Sequence, residues 1–205
     1  MKISTSILSA KDRKEAILKL NNSDTDYIHI DVMDGKFVPN YQMPIKEILE
    51  YEKISNKKLD IHLMVENPEE YIKKLTKKNI EYITIHYEIN KDLHKLINMI
   101  KQKGYKPCLS IKPNTKEELI YPYLNKVDMI LIMSVEPGLG GQEFIEKVIN
   151  KAINIKKKKN ITIEMDGGIK DTNIKKIKDC VDIAVVGSYI TNKEDYNEAI
   201  NILKN

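Results

Sequence analysis

Short, β-branched apolar runs alternate with longer stretches in which apolar residues recur three and four positions apart, along the whole 205-residue chain. The runs predict strands over residues 3–8, 27–31, 59–64, 82–86, 106–111, 129–133, 162–166 and 183–186. Helical spacing between them is explicit in Ala16, Ile17 and Leu20, in Leu93, Leu96, Ile97 and Ile100, and in Ile145, Val148, Ile149, Ala152 and Ile155, with a last helix over 196–203. Strands that alternate one by one with helices build a parallel sheet with right-handed crossovers. Eight units of about 25 residues each favour closure into a (β/α)8 TIM barrel over an open doubly wound sheet. No linker, low-complexity tract or break in composition divides the chain, so residues 1–205 are expected to form one domain.

In such a barrel the chemistry sits at the C-terminal strand ends and the loops that follow them. Three predicted strands end in potential ligands: His29-Ile30-Asp31 on the second, His62 on the third and Asp166 on the seventh. Residues two apart on a strand share a face, so His29 and Asp31 point the same way. A lone strand-end histidine is usually a hydrogen-bonded core residue, but four ligands at equivalent positions of three strands are aimed at one volume. Two imidazoles with two carboxylates suit Zn²⁺, Fe²⁺, Mn²⁺ or Co²⁺ better than Ca²⁺ or Mg²⁺, which prefer all-oxygen shells.

A cation flanked by carboxylates fits proton abstraction beside a carbonyl, because it stabilises the developing enediolate. Carboxylates on opposite sides of a carbon further suggest inversion, one group removing a proton from one face and the other returning one to the opposite face. Asp31 and Asp166 are that pair, and one of them must start neutral although a nearby cation lowers carboxyl pKa values. A dry site, repulsion between the carboxylates or loosening of one ligand would each reconcile the two demands. Met33, Met64 and Met133 fall near strand ends and are candidates for an apolar wall.

Glycine-rich turns follow the last three strands: Pro137-Gly138-Leu139-Gly140-Gly141, Asp166-Gly167-Gly168 and Val186-Gly187-Ser188. Glycine lets backbone N–H groups approach an anion closely, and this end of a barrel is a recurrent phosphate site. A sugar phosphate supplies both a carbonyl to enolise and a phosphate to anchor. The net charge of +4 is compatible with a small anionic substrate. The only dense basic run, Lys156 to Lys159, lacks interleaved aromatic residues and reads as a solvated helix end rather than a nucleic-acid face. Cys108 and Cys180 have neither disulfide nor zinc-ribbon spacing and are expected to be buried thiols. No signal-peptide pattern and no run of membrane-spanning length is present, so a cytoplasmic location with no membrane partner is expected.

The segments Ser6-Ile7-Leu8, His29-x-Asp31-x-Met33-Asp34-Gly35-x-Phe37-Val38-Pro39-Asn40, His62-Leu63-Met64-Val65, Val135-Glu136-Pro137-Gly138-x-Gly140-Gly141-Gln142 and Asp166-Gly167-Gly168 resemble, in order and over nearly the whole chain, the ribulose-phosphate 3-epimerase family. The resemblance implies interconversion of D-ribulose 5-phosphate and D-xylulose 5-phosphate in the pentose phosphate pathway, with one divalent transition metal per subunit of a homo-oligomer. It implies His29, Asp31, His62 and Asp166 as the metal ligands and Asp31 and Asp166 as proton acceptor and donor, exchanging roles with direction. It also implies Ser6 and His62 as substrate contacts, Gly138, Leu139, Gly140 and Gly141 as a mobile loop beside the substrate, and Gly167, Gly168, Gly187 and Ser188 as a phosphate cradle next to Asp166.

The chain departs from the family pattern at Thr5, usually Pro, and at Gln42-Met43-Pro44, usually a segment with Gly-Pro, which bears on the shape of the second loop and on subunit contacts. Met165 in place of Val is a volume-similar change. The nearest rival is a 3-epimerase of a six-carbon ketose phosphate such as D-allulose 6-phosphate, which would use the same groups. A decarboxylase or aldolase on a similar barrel would carry Asp-x-Lys-x-x-Asp where this chain has Asp60, His62 and Val65. An inactive phosphate-binding barrel would have lost at least one of the two carboxylates.

Overall fold

A computed structural model describes residues 1–76 and 79–205. The strands are β1 (Lys2–Ser6), β2 (Tyr27–Asp34), β3 (Tyr41–Gln42), β4 (Lys58–Met64), β5 (Ile80–His86), β6 (Lys106–Ile111), β7 (Met129–Met133), β8 (Thr162–Asp166) and β9 (Ile183–Val186). All but β3 pair in parallel, and β1 bonds to both β2 and β9, closing an eight-stranded cylinder. Outside it lie α1 (Arg13–Asn21), α2 (Ile45–Ile54), α3 (Pro68–Lys74), α4 (Leu93–Gln102), α5 (Ile149–Lys158), α6 (Ser188–Thr191) and α7 (Tyr196–Lys204). The chain is a (β/α)8 TIM barrel.

Period-two alternation along each strand sorts the residues. Ile28, Ile30 and Val32 of β2, Leu59, Ile61 and Leu63 of β4, and Ile83 and Ile85 of β5 are buried in the main apolar cluster shared with the helices. Each such side chain, fully removed from water, contributes about 1.5–3 kcal/mol. The intervening residues face the barrel axis, and there the filling is largely polar: Ser4, His29, Asp60, His62, Thr84, His86, Ser110 and Glu164 are all 0% exposed. Asp12, Asp92 and Asp195 cap α1, α4 and α7 through backbone N–H groups, as their short acceptor side chains favour.

Three features differ from the periodicity. Strand β2 continues to Asp34 rather than stopping at Asp31, because Met33 and Asp34 pair antiparallel with β3, while Met33 also pairs with Met64 of β4. The Gln42-Met43-Pro44 segment holds Met43 at φ 55°, an uncommon region for a side-chain-bearing residue, and Met43 is fully buried there. Strict strand–helix alternation also lapses twice. The crossover after β6 is a 3₁₀ helix, Glu117–Tyr123, with Pro122 inside, and that after β8 holds only the short 3₁₀ turn Ile174–Lys176.

Candidate active site

Strand register brings the strand-end groups together. Ser6 lies opposite His29, Asp31 opposite His62, and Met133 opposite Asp166. Ligand atoms of His29, Asp31, His62 and Asp166 all fall within 4.8 Å of one another. His29 Nε2 is 3.3 Å from Asp31 Oδ1, His62 Nδ1 is 3.2 Å from the same oxygen, and His62 Nδ1 is 3.8 Å from Asp166 Oδ2. Ser6 Oγ donates to Asp31 Oδ2 at 2.7 Å. On its far side His29 Nδ1 sits 2.6 Å from Asp60 Oδ2, which also accepts from Ser4 Oγ at 3.1 Å.

This arrangement fits a cation. On the side away from Asp60, His29 Nε2 is a buried atom without a hydrogen-bond partner among the described residues. Two imidazole nitrogens and two carboxylates around one point form the donor set of a borderline divalent metal.

The two carboxylates are unequal in the metal-free protein. Burial alone pushes Asp31 up, but the flanking His29 and His62 imidazoles outweigh it and hold this carboxyl well below the usual range. Burial pushes Asp166 up to about 6, and the charge of Asp31 adds to the shift. For His29, burial disfavours the charged ring, but Asp60 and Asp31 reverse this and raise it well above its ordinary value. Deeper still, burial and the charge of Asp60 push Glu164 well above the usual carboxyl range.

Above this cluster opens a cavity of about 820 Å³. Ser6, Asp31, Asp166, the three methionines Met33, Met64 and Met133, and the glycine turns at 138–141, 167–168 and 187–188 all line it. His29 and His62 lie beneath its floor, 0% exposed, and line none of it. The 138–141 turn is held where Asn40 Nδ2 donates to Gly138 O at 2.7 Å and Gln142 Nε2 donates to Leu139 O at 2.9 Å, while Leu139 remains 61% exposed. Ser134 joins β7 to the end of β8, its hydroxyl within 2.8 Å of Asp166 O and 2.7 Å of Gly167 O.

Several groups here escape the sequence pattern. Asp60, Glu164 and Ser4 lie one step deeper on strands already singled out. His86 touches His62 from the next strand and Glu88 touches His86 in turn, and their His-x-Glu spacing at a strand end repeats that of His29-x-Asp31. Lys170, Lys176 and Lys193 bring positive charge to the glycine-lined end of the cavity, and nothing in their spacing marks them.

Fold and site together define a barrel enzyme that acts on a small substrate at its C-terminal mouth, over a His/Asp cluster able to hold a metal ion. The model of the ribulose-phosphate 3 epimerase family matches residues 2–191. A ribulose-phosphate 3-epimerase of Helicobacter pylori strain J99 is 37% identical over 211 residues, covering 100% of this chain and 97% of that protein. That of Bacillus subtilis strain 168 is 34% identical, covering 100% and 98%. The chloroplastic ribulose-5-phosphate-3-epimerase of Arabidopsis thaliana is 35% identical, covering 98% and 75%. The chain belongs to the ribulose-phosphate 3-epimerase family.

Among solved structures, a chain of Mycobacterium tuberculosis tryptophan synthase superposes with a TM-score of 0.75 at 12% identity, covering 98% of this chain and 90% of that one. A 3-hexulose-6-phosphate synthase does so at 0.69 and 14%, covering 100% and 98%. These two share the barrel alone. No helix among the described residues is long and apolar enough to cross a membrane.

Proposed function

We propose that this chain interconverts D-ribulose 5-phosphate and D-xylulose 5-phosphate by proton transfer at C3 between Asp31 and Asp166. The observation that carries this reading is the convergence of both carboxylates with two imidazoles inside 4.8 Å at the cavity floor. His29, Asp31, His62 and Asp166 would hold one divalent ion of the Zn²⁺, Fe²⁺, Mn²⁺ or Co²⁺ type. When bound, such an ion supplies positive charge beside the substrate oxygens on which negative charge develops.

One aspartate takes the C3 proton, leaving its electron pair in a planar enediolate, and the other returns a proton to the opposite face. In the reverse direction they exchange roles, as microscopic reversibility requires. The hydroxyl of Ser6 orients Asp31 by its hydrogen bond. Met33, Met64 and Met133 keep water from a reactive intermediate while adding no competing proton donor. The turns at Gly167-Gly168 and Gly187-Ser188, with Lys170 and Lys193 close by, receive the phosphate, and the 138–141 loop covers the bound sugar.

Incubation with D-ribulose 5-phosphate in D2O tests this reading, with the protein loaded in turn with each of the four metals. Xylulose 5-phosphate carrying deuterium at C3 is the expected product. Absence of both product and label with every metal would defeat the proposal. D-Allulose 6-phosphate run in parallel decides the chain-length preference, and a higher kcat/KM on it would replace the five-carbon reading with the six-carbon one.

A further inference from the structure

Ser134 follows the last residue of β7, is 0% exposed, and reaches across to the turn after β8. Its Oγ lies 2.8 Å from Asp166 O and 2.7 Å from Gly167 O, and its backbone N–H donates to Asp166 O at 2.7 Å. Carbonyl oxygens only accept, so the one hydroxyl hydrogen is shared between two successive carbonyls. Asp166 O keeps the Ser134 N–H whatever the hydroxyl does. Gly167 O has no other donor among the described residues.

This gathering of carbonyls fixes where the neighbouring N–H groups point. A trans peptide is planar, with its C=O and the following N–H on opposite sides, and no described peptide is cis. With Asp166 O and Gly167 O both turned to Ser134, the N–H groups of Gly167 and Gly168 both turn away from it. Gly167 and Gly168 line the cavity and Ser134 does not, so away from Ser134 is toward the cavity. Neither N–H has an acceptor among the described residues. Two adjacent N–H donors aimed into one volume form an anion receptor. Only glycine suits either position: φ is 121° at Gly167 and 65° at Gly168, a Cβ on Gly167 would overlap the Val135 side chain, and one on Gly168 would stand 2.6 Å from Phe144 N.

We propose that Ser134 is a positioning residue whose hydroxyl holds the Gly167–Gly168 peptide, so that the Gly168 N–H stays beside that of Gly167 as a paired anion receptor. That the anion is the phosphate of a sugar rests on the function proposed above, whereas the receptor does not. Ser134 carries no charge, so replacing it leaves the pull of Lys170, Lys176 and Lys193 on an anion as it is, and a change in affinity reports the direction of the peptide.

Two variants separate this role from support of Asp166. Ser134→Ala removes the hydroxyl but keeps the backbone N–H bond to Asp166 O, so it frees Gly167 O while Asp166 stays tethered. Ser134→Thr keeps a hydroxyl at the same place.

Inorganic phosphate is titrated into the full-length protein while the ¹H–¹⁵N amide signals of Gly167 and Gly168 are followed, and KM and kcat are measured for D-ribulose 5-phosphate. In the wild type both signals should move saturably. Ser134→Ala should bind phosphate about 2–10-fold more weakly, the net contribution of one hydrogen bond, and raise KM by a similar factor at near-normal kcat, with Ser134→Thr close to wild type. Unchanged phosphate affinity in Ser134→Ala, a Ser134→Thr variant no better than Ser134→Ala, or glycine signals that do not respond to phosphate would each overturn the proposal. So would a fall in kcat at unchanged KM, which would place the hydroxyl in support of Asp166 instead. A wild type that binds phosphate at these amides, loses affinity in Ser134→Ala and yet turns over no D-ribulose 5-phosphate would support the receptor and defeat the epimerase reading.

Discussion

Gly168→Ala probes how tightly the glycine-lined end of the cavity is built. Gly168 has φ 65°, in the left-handed region, where a side chain costs about 1–2 kcal/mol. A Cβ there would also stand 2.6 Å from Phe144 N, 2.7 Å from Gln142 O and 2.9 Å from Phe144 Cα. These are backbone atoms, so no rotamer change relieves the overlap and the 142–144 segment must move. Overpacking of this kind adds about 1–3 kcal/mol.

Gly104→Ala is the internal control. Gly104 also has a positive φ, 84°, but a Cβ there meets nothing within 4 Å. The difference between the two variants therefore isolates the steric part. At about 2–4 °C per kcal/mol for a chain of this size, Gly168→Ala should melt roughly 2–12 °C below Gly104→Ala. Scanning calorimetry on both proteins measures this. Because Ile145 N donates to Ser134 O, displacement of 142–144 also reaches the β7–β8 tether, so KM for D-ribulose 5-phosphate should rise in Gly168→Ala and stay near wild type in Gly104→Ala. Equal melting temperatures would show that the loop yields freely and that the close packing described here carries no energy.

Asp31→Asn and Asp166→Asn should each lower kcat by about 10²–10⁴, the usual contribution of a positioned acid or base; near-normal turnover in either would mean its role is misassigned. Glu88 has its pKa lowered in the folded state from 4.5 to about 2, so its stabilisation is fully present above the ordinary glutamate range and lost as pH falls through about 2. Urea titrations should accordingly find Glu88→Gln less stable than wild type at neutral pH, with the gap closing between about pH 4.5 and 2; a gap that widens on acidification would refute the assignment. Asp34 accepts from the backbone N–H groups of Lys36, Phe37 and Glu66, so Asp34→Ala should destabilise by about 1–3 kcal/mol, read as a lower urea midpoint, and an unchanged midpoint would show that water replaces those bonds at no cost.

The barrel was legible because its strands and helices differ in period, and the convergence of His29, Asp31, His62 and Asp166 because all four sit at the ends of such strands. What periodicity misses has physical causes. The hairpin partner Tyr41–Gln42 is two residues long, too short to show alternation. The crossovers after β6 and β8 depend on local 3₁₀ geometry, which carries no 3.6-residue stripe. Asp60 and Glu164 lie on inward positions of otherwise apolar strands, where a carboxyl group gains meaning only from its neighbours across the sheet. His86-x-Glu88 displayed the same spacing as His29-x-Asp31, but only the three-dimensional order of the strands shows that it abuts His62.

The polar filling of the barrel axis divides labour within each strand. Ser4, His29, Asp60, His62 and His86 look inward and are committed to orienting one another, so the sleeve of isoleucine and leucine between strands and helices supplies most of the cohesion. An engineer seeking a hardier catalyst therefore works by volume-conserving swaps in that outer annulus and leaves the inside alone, where replacing the buried Asp60 carboxyl with an aliphatic group would cut loose the His29 imidazole it steers.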